Sequence, residues 1–88
     1  MSAPLPLQIW SEPFCKKYDS LPRNLQLAID QKVDKMGRTL RSFPHERLQG
    51  RPEFRLRVGD YRVLYSFNVA EGRIFLLSVG HRRDIYKG

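Results

Sequence analysis

The sequence predicts an α+β domain of order β-α-α-β-β-β, with a helical hairpin packed on one face of a small antiparallel sheet. Three observations carry that expectation. Leu25, Ile29, Val33, Met36 and Leu40 recur at helical spacing with Ala28 alongside. Three strand-like runs follow Pro52, separated by Gly59-Asp60 and Ala70-Glu71-Gly72. The chain has 88 residues, 41% of them hydrophobic, which suffices for one modest core and a single domain over residues 1–88.

Each element has a local reason. Leu5 to Trp10 (LPLQIW) alternates Leu5, Leu7 and Ile9 against Pro6 and Gln8, and Pro6 assigns it to a sheet edge because proline cannot donate to a central ladder. Ser11, Glu12 and Pro13 supply a capping hydroxyl, an acid and a first-turn proline for a helix carrying Phe14, Cys15 and Tyr18 and ending near Asp19 or Ser20. Pro22 opens the longer helix, weakened locally by Gly37 and finished by Phe43-Pro44. Lys32, Lys35, Arg38 and Arg41 lie off its apolar stripe, and the last of these complement the helix dipole.

After a polar connection from Pro44 to Pro52, Glu53 to Val58 sets Phe54, Leu56 and Val58 on one face and Arg55 and Arg57 on the other. Gly59-Asp60 makes a hairpin turn. Tyr61 to Val69 then sets Val63, Tyr65, Phe67 and Val69 against Arg62, Leu64 and Ser66. Arg73 to Val79 is apolar on both faces, as a central strand should be, and Gly80 is expected to close it. The helical stripe needs the apolar face, so the other face is left with Arg55, Arg57 and Arg62, joined by His81, Arg82, Arg83 and Tyr86 from the exit of the last strand.

The formal charge is +7 with a pI near 10.1. An arginine surplus suits a polyanion such as nucleic acid or an acidic protein, because the planar guanidinium grips two phosphate oxygens at once. One cysteine excludes an internal disulfide, and Cys15 reads as a packing residue. No secretory signal pattern and no membrane-length apolar run is present, so a cytosolic protein is expected.

Gly-rich phosphate loops, zinc-ligand spacing and nucleophile elbows are absent from the sequence, so neither metal nor cofactor is expected. Arginines interleaved with tyrosines fit binding of unpaired RNA, where guanidinium and phenol stack on bases. They also fit phosphodiester cleavage by an adjacent 2′-hydroxyl. Arginines can position the phosphate and stabilise charge on it, but they are poor general bases because they stay protonated.

LRVGDYRVLY (Leu56 to Tyr65, preceded by Arg55), then SVGHRRDIY (Ser78 to Tyr86), with LQG (Leu48 to Gly50) ahead of the meander, resembles the RelE branch of the RelE/ParE toxin superfamily of bacterial toxin–antitoxin modules. The resemblance implies a RelE-like fold and a ribosome-dependent, metal-independent endonuclease that cuts mRNA in the ribosomal A site. It implies that Arg62 stabilises the scissile phosphate, Arg82 acts as general acid or leaving-group stabiliser, and Tyr86 stacks on or orients the nucleotide. Arg55 keeps an electrostatic role, and Arg57, His81 and Arg83 bind RNA. Arg55 and Glu53 stand where the best-known members carry lysines, which leaves Glu53 or His81 to serve as base. The implied partners are a RelB-like antitoxin that wraps the basic surface and the ribosome, with DNA contacted only through the antitoxin complex. The same resemblance leaves open a ParE-like, non-hydrolytic poison of DNA gyrase and an inactive antitoxin-binding homologue.

Overall fold

The computed structural model describes residues 5–86, which form two helices and five strands. In chain order these are β1 (Leu7–Trp10), α1 (Glu12–Asp19), α2 (Arg23–Arg38), β2 (Glu46–Arg47), β3 (Phe54–Val58), β4 (Tyr61–Asn68) and β5 (Arg73–His81). The strands make one sheet in the order β1-β5-β4-β3-β2. The helices pack on one face and leave the other open, so the α+β expectation holds.

The sheet departs from the expected antiparallel one in two ways. β1 pairs with β5 in parallel, Leu7 opposite Arg73 through Trp10 opposite Leu76, which makes the sheet mixed. The segment expected to be a connection contains β2, where Glu46 and Arg47 lie antiparallel to Arg55 and Phe54. The β2–β3 loop is closed by Leu48 N–H donating to the Glu53 carbonyl (2.9 Å) and Arg51 N–H donating to the Leu48 carbonyl (3.2 Å). Two residues of strand carry no readable period, and this explains why β2 cannot be seen in the sequence.

The caps follow the sequence closely. Ser11 Oγ accepts from Phe14 N–H at 3.2 Å and donates to the Leu77 carbonyl at 2.7 Å, so one hydroxyl caps α1 and fastens it to β5. α2 stops at Arg38, short of the expected Phe43, and Thr39 N–H bonds back to the Met36 carbonyl. A tight turn follows, with Phe43 N–H on the Thr39 carbonyl (2.7 Å), and it keeps Leu40 in the core although the helix has ended.

The core lies between helices and sheet. Phe14, Ile29, Val33, Met36, Val63, Tyr65, Ile74 and Leu76 are its fully buried large side chains. β5 sits between β1 and β4, as its two apolar faces predict, and β1 is an edge strand, as Pro6 predicts. The alternation in β1 runs opposite to simple expectation, however. Leu5 and Leu7 are about 60% exposed, whereas Trp10 stacks edge-on against Phe14 and Tyr18 beneath the helices. The indole, though 36% exposed, covers Phe14 and Tyr18, and Gln8 donates to Asp34 of α2, so Trp10 and Gln8 share the parity that faces the helices.

His45 pins the approach to β2. Its Nδ1 meets the Tyr65 hydroxyl at 2.6 Å, its Nε2 meets the Leu40 carbonyl at 2.7 Å, and its ring stacks on Phe67 at 4.0 Å. The hydroxyl can donate to one ring nitrogen while the other donates to the carbonyl, so both ring nitrogens are satisfied. Burial pushes the Tyr65 phenol above its ordinary pKa.

Candidate functional site

Strand parity builds the basic surface. In the β3–β4 pair, Leu56 lies opposite Val63 and Val58 opposite Tyr61 on the helix side, while Arg55 lies opposite Leu64 and Arg57 opposite Arg62 on the open side. Gly59, with φ +59°, makes the tight turn that holds this register. Two arginines directly across a ladder repel each other, so each needs a counterpart.

The counterparts differ. Arg62 Nη1 donates to the carbonyls of Gly59 and Tyr61, both at 2.8 Å, and these neutral acceptors orient the guanidinium without cancelling its charge. Arg57 Nη2 instead reaches the Glu46 carboxylate at 3.3 Å. Arg55 donates to the same oxygen, Glu46 Oε1, from Nε at 2.6 Å and from its Nη2. Arg55 also donates from Nη1 to the Tyr86 hydroxyl at 3.2 Å. These bonds raise the pKa of Arg55, first through Glu46 and then through Tyr86, and the Arg55 hydrogen bond holds the Glu46 carboxyl below the usual carboxylate range. Glu46 is therefore a carboxylate at neutral pH, at the centre of the cluster.

The tail reaches this surface by a turn over Gly80. β5 runs on to His81 and does not end at Gly80 as the sequence suggests. Asp84 and Ile85 N–H both donate to the His81 carbonyl at 2.9 Å. Gly80 lies opposite Arg62, and a Cβ placed there would stand 3.2 Å from Ile85 Cδ1. The missing side chain lets Ile85 settle on the open face and delivers Tyr86 to Arg55. Arg82 is fixed through its backbone N–H to the Asp60 carbonyl (2.8 Å), with its Nε 3.8 Å from Asp60 Oδ1.

Arg55, Arg57, Arg62, Arg82 and Tyr86 are thus brought together around the β3–β4 hairpin, with exposed Arg83 on the adjoining turn. His81 is set apart. It pairs with Tyr61, whose ring it meets edge-on at 5.6 Å, and its Nδ1 accepts from Arg83 N–H at 3.1 Å. The one residue by which β5 overruns Gly80 is His81 itself, two on from Val79, and it shares the helix-side parity of Val79. Glu53 lies at the entry to β3, with Oε2 buried and without a hydrogen-bond partner.

Two depressions border the cluster and share Arg51. One of about 290 Å³ is lined by Leu48, Gln49, Arg51, Arg55 and Tyr86. Another of about 440 Å³ includes Lys17, Arg51, Glu53, His81 and Ile85. A larger cavity, about 780 Å³, lies elsewhere, between the start of β1 and the end of α2, and touches none of the expected site residues. The smaller depressions are where cations, a phenol and carboxylates converge. Such a surface can bind phosphate and stack a base. Among the described residues no group of three His, Cys, Asp or Glu side chains is arranged to hold a metal, and no helix is long and apolar enough to cross a membrane.

Glu46 is the participant that sequence reasoning misses. It stands in what reads as a loop, and only its pairing directly across from Arg55 reveals it. The available signal is weak: an acid followed nine and eleven residues later by two arginines of strand parity.

Residues 9–86 match the family described as the ParE toxin of the type II toxin–antitoxin system parDE. No curated protein matches the sequence. Among solved structures, the chain is similar to the isolated Escherichia coli RelE toxin, at 19% identity and a TM-score of 0.73 over 86% of this chain and 83% of that one. It is similar to the RelBE2 toxin–antitoxin complex of Mycobacterium tuberculosis, at 22% identity and a TM-score of 0.70 over 96% and 100% of the two chains. It is also similar to the archaeal RelE–RelB complex of Pyrococcus horikoshii, at 24% identity and a TM-score of 0.72 over 96% and 99%. At these identities the likeness is one of fold.

Proposed function

The chain belongs to the ParE toxin family of type II toxin–antitoxin systems, within the RelE/ParE superfamily, and from that premise we propose that it is a ribosome-dependent mRNA endonuclease of the RelE kind. The observation that carries this reading is the cluster of Arg55, Arg57, Arg62, Arg82 and Tyr86 on one open face. Arg62 keeps its full charge while being aimed by two carbonyls, as a group stabilising a phosphorane oxygen requires. Arg82 stands at the far side of the hairpin turn to support the leaving 5′ oxygen. Tyr86 offers a ring for the nucleotide. Attack by the adjacent 2′-hydroxyl needs in-line geometry, which the ribosomal A site helps to impose. The proton acceptor is Glu53, which lines the depression shared with Arg51 and whose Oε2 has no hydrogen-bond partner. Neither metal nor cofactor takes part, and the protein acts in the cytoplasm.

A RelB-like antitoxin is the second partner in this reading, an acidic or extended segment folding onto the basic face as it binds. The likeness to RelE–RelB complexes supports it. DNA is met only through that complex.

A second reading is favoured by one finding, the matched family's description as a ParE toxin. Under it the same arginines bind DNA gyrase and cut nothing. Tightly controlled expression with mapping of mRNA ends separates the two. Codon-linked breaks that vanish in Arg62→Ala and Tyr86→Ala support the nuclease. Growth arrest with intact mRNA and an induced DNA-damage response supports the gyrase poison and sinks the nuclease.

A further inference from the structure

Every guanidinium of the cluster is engaged in the free protein, but only Arg55 and Arg57 share a carboxylate. One oxygen, Glu46 Oε1, receives both of them, in the geometry that a phosphate oxygen would adopt between two guanidinium forks. The carboxylate is held firmly. Glu46 is directly opposite Arg55 in the ladder, and the preceding residue, His45, is anchored by Tyr65 and the Leu40 carbonyl. The pair is also open to solvent: the side chains of Glu46 and Arg57 are 40% and 61% exposed, so a ligand can reach the same guanidiniums.

We propose that Glu46 is an internal stand-in for substrate phosphate: it occupies the Arg55–Arg57 anion site in the free protein and yields both guanidiniums to a phosphate of single-stranded RNA. The ligand class rests on the nuclease reading above. The internal competition does not, because any phosphate would meet it. Binding therefore exchanges one anion for another. Affinity is set by the difference between a dianionic or bridging phosphate and a tethered carboxylate, and the free site is kept from gathering polyanions indiscriminately. The exchange also loosens the grip of Arg55 on the Tyr86 hydroxyl, freeing the phenol to move against a base.

The test is a double-mutant cycle on binding. Glu46→Gln keeps the shape and removes the charge. It is compared with the parent for affinity toward a short RNA carrying 2′-O-methyl substitution throughout, which cannot be cleaved, and toward inorganic pyrophosphate. The expected result is about five- to tenfold tighter binding of both probes, with a steeper salt dependence for the RNA as freed guanidiniums contact phosphates. In an Arg55→Ala/Arg57→Ala background the same substitution should change affinity less than about twofold. Glu46→Asp, with its shorter reach, should bind between parent and Gln variant.

Unchanged or weaker binding by a folded Glu46→Gln variant overturns the proposal. So does an unchanged affinity combined with lost cleavage, which would assign Glu46 to the chemical step. A gain that survives in the double-alanine background also overturns it, since net charge alone would then explain the effect. Pyrophosphate keeps the outcome independent of the nuclease reading. Tighter pyrophosphate binding without any mRNA breakage sustains the anion exchange while the proposed function falls.

Discussion

The two faces of the β3–β4 hairpin use the same strands for opposite ends. On the helix side, Leu56, Val58, Val63 and Tyr65 are buried, and their register is fixed by shape. On the open side, Arg55, Arg57 and Arg62 are held by half-exposed ion pairs and by carbonyls, contacts that contribute little to stability. Alternate residues of one strand thus separate the two duties. Stability belongs chiefly to one parity and ligand chemistry to the other, with Leu64 the buried exception on the open side.

The largest way to challenge that separation is Leu56→Ala. Loss of a nearly fully buried leucine should cost about 2–4 kcal/mol in a denaturant titration. Its neighbour Arg57→Ala should stay within about 0.5 kcal/mol. If the two costs are similar, the parity argument fails. Next is Arg62→Ala, which should lower mRNA cleavage on the ribosome by about a hundredfold, the usual loss for one oxyanion donor. Its melting temperature should remain near that of the parent, and a large fall in stability would mean that the guanidinium is structural.

Tyr65→Phe tests the other parity with a single atom. It leaves His45 Nδ1 without its buried partner and should cost about 1–2 kcal/mol in the same titration. Gly80→Ala sharpens the comparison, because its added methyl lies on the open face against Ile85. Displacing the tail should reduce cleavage several-fold, with a stability change below about 1 kcal/mol, as read from paired activity and melting assays.

The last effect is in pH. Burial, followed by the hydrogen bond to Asp30, pushes the Tyr18 phenol up to about 12 from 10.0. A folded-state value above the unfolded one gives stability that is complete below pH 10 and lost as the pH rises through about 12. Melting temperatures across that alkaline range should fall in the parent, and the Tyr18 share of the fall should be missing in Tyr18→Phe.

Much of this division is legible in the sequence, because a period of two assigns Arg55, Arg57 and Arg62 to one face without any structure. The stripe on α2 and the doubly apolar β5 are equally readable. What stays hidden is non-local. Nothing in LPLQIW announces a parallel partner more than sixty residues away, or that Trp10 and Gln8 would share the inward parity. His81 depends on where β5 ends, and one extra residue of strand moves it away from the arginines. The arrival of Tyr86 depends on Ile85 meeting a glycine. Glu46 depends on a two-residue pairing too short to leave a pattern.

The place of β5 has a consequence for when the molecule comes into being. It is the last strand in the described chain, yet it lies between the first strand and β4. A chain still under synthesis holds both neighbours before it holds the strand they share. The hairpin with its arginines can close early, because its contacts are local. The sheet beneath it, and the tail that carries Tyr86, must wait for residues 73–86 to be made. Chains broken off before residue 73 would lack the strand that joins β1 to the rest of the sheet, so competence arrives late and all at once, when β5 and the tail have been made.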